Sequence, residues 1–223
     1  MDSATLVIMG LSVLVVLLSL TVHEFAHAVA AYLQGDHTAE EAGRLTLNPL
    51  AHLDPVGTIL PILLMLAHSP IALGWAKPVP FNPLALRNPR WGSVLVGLAG
   101  PASNLLLCVI CAVALNILLP ILSSDNWLII FLVIGVFANM GLAVFNLLPI
   151  PPLDGSKLLQ ALLPYQYQWI YRWLETYGTF LLLAFMLFGY TLVSEAVRTG
   201  LCAVLHLVGG VVGSVFGCSA SLY

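Results

Sequence analysis

Two histidines four residues apart, His23 and His27, flank Glu24 and Phe25-Ala26 in the run HEFAH. Residues four apart stack on one face of a helix, so both imidazoles can reach one metal ion, and the neighbouring carboxylate can reach a water on that ion. The chemistry this spacing offers is hydrolysis at zinc. A catalytic zinc usually takes three protein ligands and keeps one position open, so the pair needs a partner. Asp154 is the sole carboxylate between Asp125 and Glu175, and it is the last residue but one of the run NLLPIPPLDG that begins at Asn146. A carboxylate near a membrane calls for a partner, and zinc is a strong one. The prolines stop the preceding helix so that Asp154 can turn back, and Gly155 permits a tight turn.

The elements that must position these residues are membrane spans. Of the 223 residues 60% are hydrophobic and 8% charged, with mean hydropathy +1.01, whereas soluble domains carry roughly a quarter charged residues. The expected fold class is an all-α polytopic membrane protein, a single domain over 1–223 with about four to six transmembrane helices and a short membrane-associated β or re-entrant segment. Apolar stretches place spans at about 4–34, 92–119, 127–148 and 177–197, with 201–217 as a candidate further span and 58–67 too short to cross, hence re-entrant or interfacial. The start Met1-Asp2-Ser3 supplies no basic n-region, so the first stretch reads as a mature helix rather than a signal peptide.

Arg44, Lys77, Arg87 and Arg90 fall after the first span, and Lys157 and Arg172 fall between the third and fourth. Loops rich in basic residues stay in the cytoplasm, which puts the N-terminus outside and both halves of the metal site toward the cytosolic face. A net charge of −3 gives no nucleic-acid footprint. Cys108, Cys111, Cys202 and Cys218 lie in apolar stretches, so no disulfide framework is expected, and Cys108 with Cys111 reads as packing.

HEFAH on an early helix and NLLPIPPLDG after a later one resemble the site-2 protease family of intramembrane zinc metalloproteases. The segments RLTLNPLAHLDPVGT from Arg44, GWAKPVPFNP from Gly74 and GLAGPASN from Gly97 resemble its small bacterial and archaeal branch, which lacks a PDZ domain. The resemblance implies one Zn2+ per chain held by His23, His27 and Asp154, with Glu24 as the general base that carries a proton from water to the leaving amine. It implies a membrane-anchored protein or peptide substrate, cleaved in or near its transmembrane segment, and a prokaryotic cell membrane as the location. Oligomeric state stays open.

Finer expectations concern the substrate. Asn146 is a candidate donor to the oxyanion or the substrate backbone, with capping of its own helix end as the competing role. A helical substrate must unwind before its carbonyls can be attacked, and an extended protein segment could hold it by strand addition. Trp75, Ala76, Lys77 and Val79 are the candidates, because Pro78 and Pro80 forbid helix and suit an edge strand. His52 and Asp54 could form a gate or a contact behind the site, against the simpler role of turn initiators before proline. The E-x-x-x-D pattern of CAAX-type membrane proteases is absent, since Thr179 and Thr199 follow Glu175 and Glu195 at that spacing. The rival from another class is a zinc transporter or a non-catalytic zinc-binding membrane protein. Transport favours ionisable residues at mid-membrane on facing helices, whereas these candidates gather near one face.

Overall fold

The first helix begins where the Asp2 carboxylate accepts a hydrogen bond from the Thr5 amide at 3.1 Å, satisfying one of the amides a helix start leaves unpaired. The computed structural model of the chain describes residues 2–66, 76–209, 213 and 218. Helix α1 (Ser3–Tyr32) leads into three shorter helices, α2 (Thr38–Glu41), α3 (Pro49–His52) and α4 (Pro55–Leu66). An extended stretch and a 3-10 turn at Pro83–Ala85 connect to α5 (Pro89–Leu118), followed by α6 (Trp127–Asn146), α7 (Gly155–Leu162), α8 (Gln168–Phe188) and α9 (Tyr190–Val208). Asn88 caps α5 and Asn126 caps α6 through their side-chain oxygens, the residue type expected where a span starts in a polar loop.

Ser3–Tyr32, Pro89–Leu118, Trp127–Asn146 and Thr191–Val208 are long and apolar enough to cross a bilayer, and the chain is a multi-pass integral membrane protein. The N-terminal half of α1 exposes Leu6, Val7, Ile8, Leu14, Val16 and Leu18, while its C-terminal half buries Ser19, Thr21, His23, Glu24 and His27. That inversion, apolar outward and polar inward, suits a helix whose solvent is lipid. Helices α1, α5 and α6 pack against one another, and α9 lies on α5 and α6. The main apolar core joins Cys108, Ala112 and Leu115 of α5 to Ile129, Leu132, Val136 and Met140 of α6 and Leu201 and Leu205 of α9. With no hydrophobic drive between helices in lipid, close packing carries this association.

Three expectations change. No strand forms among the described residues. Pro78 and Pro80 have no N–H, and the amides of Lys77 and Val79 between and beside them bond to His52 and Glu24 rather than to a neighbouring strand, so those two amides join no ladder within the chain; Trp75 lies outside the described residues. The stretch expected to span at 177–197 is divided, because α8 ends at Phe188 and α9 begins at Tyr190. Gly189 sits at the break, where a Cβ would lie 2.6 Å from the Phe185 carbonyl oxygen, and the crossing candidate is therefore Thr191–Val208. Of the further stretch 201–217, residues 201–208 belong to α9, and 210–212 and 214–217 lie outside the described residues. Finally, Cys202 and Cys218 form a disulfide. Separate apolar stretches gave no sign that the chain beyond α9 returns to it.

Candidate metal centre

His23 and His27 sit one turn apart on the buried face of α1, with ring centroids 4.6 Å apart. Their Nε2 atoms lie 3.0 Å from each other, and both face Asp154 Oδ2, at 3.1 Å from His23 and 3.4 Å from His27. Asp154 reaches His23 across 131 residues of sequence. It precedes α7 in the N-cap position but makes no capping hydrogen bond, so its carboxylate is spent on the histidines instead of on its own helix.

Each imidazole is held from behind. His27 Nδ1 donates to the Val96 carbonyl at 2.7 Å, and His23 Nδ1 meets Asn104 Oδ1 at 2.6 Å. With Nδ1–H committed, both Nε2 lone pairs are left to point at a shared centre. One ligand atom from each of His23, His27 and Asp154 can be chosen so that all lie within 4.8 Å of one another.

Small residues keep the space open. A Cβ on Gly100 would stand 2.5 Å from His23 Cε1 and His27 Nε2 and 2.6 Å from His23 Nε2, so α5 passes directly over the two rings only because it carries no side chain there. Gly97 likewise lets α5 approach the Asp154 carbonyl, where a Cβ would lie at 3.1 Å. Gly155 would collide with the Leu147 and Leu148 carbonyls if it had a Cβ, so close approach, not a turn, is what requires glycine. Two imidazole nitrogens, one carboxylate and a cradle without side chains fit zinc in donor type and number.

Glu24 lies beside this group, and its Oε2 accepts a hydrogen bond from the Val79 amide at 3.0 Å. The extended segment of residues 76–82 is thereby laid across the site. It is pinned at either end by Lys77 N–H to the His52 carbonyl at 2.9 Å and by Asn82 N–H to Asp36 Oδ2 at 2.6 Å. Burial raises the Asp36 carboxyl, and hydrogen bonds from Thr38 and Asn82 overcome that and lower it.

The remaining candidates are placed as follows. Asn146 donates its Nδ2 to the Leu142 carbonyl, one turn back on α6, at 3.0 Å. Asp54 accepts from the Gly57 amide at 2.8 Å and so starts α4, and Asn48 starts α3 in the same way. His52 is buried with Nε2 on the Thr46 carbonyl at 2.8 Å. Sequence reading missed Asn104 and Asn139, the buried amides behind His23, whose Asn104 Nδ2 to Asn139 Oδ1 hydrogen bond is 2.9 Å long. Their signal was two uncharged polar side chains in the interior of spans.

The model for peptidase family M50 matches residues 121–189. A Bacillus subtilis protein named as a zinc metalloprotease, YwhC, is 43% identical over 157 residues, which cover 68% of each chain. The Rip2 proteins of Mycolicibacterium smegmatis and Mycobacterium tuberculosis, also named as zinc metalloproteases, are 38% and 35% identical over 68% and 65% of this chain. The matches span 58% and 54% of those mycobacterial proteins, so the chain corresponds to little more than half of their length. No solved structure matches the chain significantly.

Proposed function

The chain belongs to peptidase family M50 and is a zinc metalloprotease, and from that premise we propose that it hydrolyses peptide bonds in or beside the membrane-spanning segments of its substrates. The observation that carries the proposal is the meeting of His23, His27 and Asp154 beside Glu24 at the end of a helix long and apolar enough to cross a bilayer.

In this reading His23 and His27 offer Nε2 and Asp154 offers a carboxylate oxygen to the zinc. Zinc, when bound, supplies Lewis acidity that polarises the scissile carbonyl and acidifies the attacking water. Glu24 takes the water's proton and delivers it to the leaving amine. The Val79 amide holds one carboxylate oxygen of Glu24 and leaves the other to face the water. Asn146 serves the oxyanion or the substrate backbone through the amide hydrogen not spent on Leu142.

The substrate reading follows from backbone chemistry. A helix in lipid keeps every carbonyl in its own hydrogen bonds, so a cleavable segment must be held unwound. Residues 76–80 form neither helix nor strand, Pro78 and Pro80 hold the chain in an extended reading, and successive residues of an extended chain face opposite ways. The amides of Lys77 and Val79 face the protein, so the other edge presents the carbonyls of Pro78 and Pro80 to an incoming peptide's amides. Basic residues Arg44, Arg87, Arg90, Lys157 and Arg172 flank the segments that build the site, which supports a site toward the cytosol and an N-terminus outside. The bacterial relatives support a prokaryotic cell membrane.

The test is cleavage of a membrane-anchored substrate by the full chain reconstituted in liposomes. Glu24→Gln should keep its zinc and lose cleavage, and Asp154→Ala should lose zinc. Undiminished cleavage by Glu24→Gln sinks the mechanism, and cleavage confined to soluble peptides rejects the intramembrane substrate.

A further inference from the structure

We infer that Asn139 and Asn104 form a directional relay that sets the proton of His23 on Nδ1 and so leaves its Nε2 as a lone pair for zinc. The polarity of the chain of amides is fixed at its α6 end. The Gly135 carbonyl on α6 can only accept, so the Asn139 atom 2.9 Å from it is the donating Nδ2. Asn139 must then present Oδ1 on its other side, where Asn104 Nδ2 donates to it at 2.9 Å. That in turn aims Asn104 Oδ1 at His23 Nδ1, 2.6 Å away. An amide oxygen only accepts, so the hydrogen between them belongs to Nδ1.

A second contact checks the orientation. Asn104 Nδ2 also lies 3.4 Å from the Ser19 carbonyl. Turning the amide over would set its oxygen against two other oxygens, Ser19 O and Asn139 Oδ1, and its NH2 toward His23. Among side chains this buried, that arrangement leaves several unmade bonds. Asn104 is fully buried, with Asn139 at 2% and His23 at 3% exposure, so water cannot substitute for a missing member.

The two histidines therefore obtain the same tautomer by different means. His27 leans on a backbone carbonyl, Val96 O, which no substitution removes. His23 depends on two side chains from α5 and α6, and both can be altered. Partners behind a ligating histidine fix its ring and tautomer and are typically worth about 10- to 100-fold in metal affinity. Asn139 and Asn104 are thus positioning residues: neither reaches the metal, and both act through His23.

This inference rests on His23 being a zinc ligand, and the experiment separates the two. In the full chain in micelles, at a pH where the ring is neutral, 15N spectra of the histidine rings of metal-free wild type should show His23 with its proton on Nδ1; a neutral ring with its proton on Nε2 overturns the relay. Asn139→Leu should shift His23 toward Nε2–H and weaken zinc about tenfold or more. Adding Asn104→Asp to Asn139→Leu should restore both readings, because a carboxylate accepts from Nδ1–H whichever way it is turned and needs no partner to orient it. A merely structural role for Asn139 predicts no such rescue. Unchanged tautomer and affinity in Asn139→Leu, or absence of rescue, overturns the relay while leaving zinc binding and proteolysis intact. Loss of zinc in His23→Ala with no cleavage by wild type fails the proposed function and leaves the relay standing.

Discussion

The Val79 amide donates to Glu24 Oε2 at 3.0 Å, and in the tripeptide Pro78-Val79-Pro80 it is the one N–H the backbone possesses. Proline on either side excludes every competing donor, and the extended chain delivers the remaining one to the base. A hydrogen bond to a charged group is worth about 1.5–3 kcal/mol, so its loss should leave Glu24 free to turn away from the water. Val79→Pro removes the N–H, whereas Val79→Ala keeps it. The proline variant should lower kcat by about tenfold or more, with zinc content unchanged, and the alanine variant should stay near wild type. Equal rates for the two variants would show that the amide does not position the base.

Gly100 gives a second prediction, directed at the metal instead of the base. Alanine there would press its methyl against both imidazoles at 2.5–2.6 Å, and these are stiff rings anchored by their Nδ1 bonds. Either α5 moves away or the rings rotate, and both spoil the shared centre. Gly100→Ala should reduce bound zinc, measured by metal analysis of the purified chain, and cleavage should fall in proportion. Gly141→Ala is the control, since nothing lies within 4 Å of a Cβ at that position. Full zinc occupancy in Gly100→Ala would mean that the cradle is wider than the geometry implies.

What could be read ahead of the structure was what depends on spacing along the chain. His23 and His27 share a face because four residues make about one turn, and Pro149 to Pro152 end a helix wherever they occur. Asp154 was legible as a carboxylate without a nearby partner. The Asn104–Asn139 pair was not, because it depends on how α5 and α6 rotate against each other, and spans that are apolar nearly all round carry little periodicity to fix that rotation. The extended segment was legible from Pro78 and Pro80, but its partner Glu24 lies 55 residues away. The division of α8 from α9 at Gly189 was hidden inside a continuous apolar run.

The disulfide is checked by counting thiols. Cys202 and Cys218 are joined, and Cys108 and Cys111 are free. Alkylation of the unfolded, unreduced chain should therefore modify Cys108 and Cys111 alone, and reduction should expose Cys202 and Cys218 as well. A closed loop of about 15 residues is worth roughly 3 kcal/mol by chain entropy, so Cys202→Ser should lower the melting temperature in micelles. Alkylation of all four cysteines without reductant would reject the link.

Asp36 ties the extended segment to the end of α1. Its Oδ1 accepts from the Thr38 amide at 3.0 Å and the Thr38 hydroxyl at 2.5 Å, and its Oδ2 accepts from the Asn82 amide at 2.6 Å. These bonds favour the charged form, and despite the opposing effect of burial the carboxyl is lowered from 3.8. A carboxylate whose folded value is depressed contributes stability that is present above its unfolded value and lost as pH falls through the folded one. Asp36→Asn keeps one acceptor oxygen but turns an NH2 toward a donor. At neutral pH it should therefore cost about 1–3 kcal/mol and make the segment around Asn82 more open to protease. The difference from wild type should persist down to about pH 4 and shrink below it, as Asp36 takes up its proton and loses one acceptor of its own. Thermal unfolding of both proteins in micelles between pH 7 and pH 3 measures this, and a gap that stays constant across that range would show that the Asp36 charge does not hold the segment.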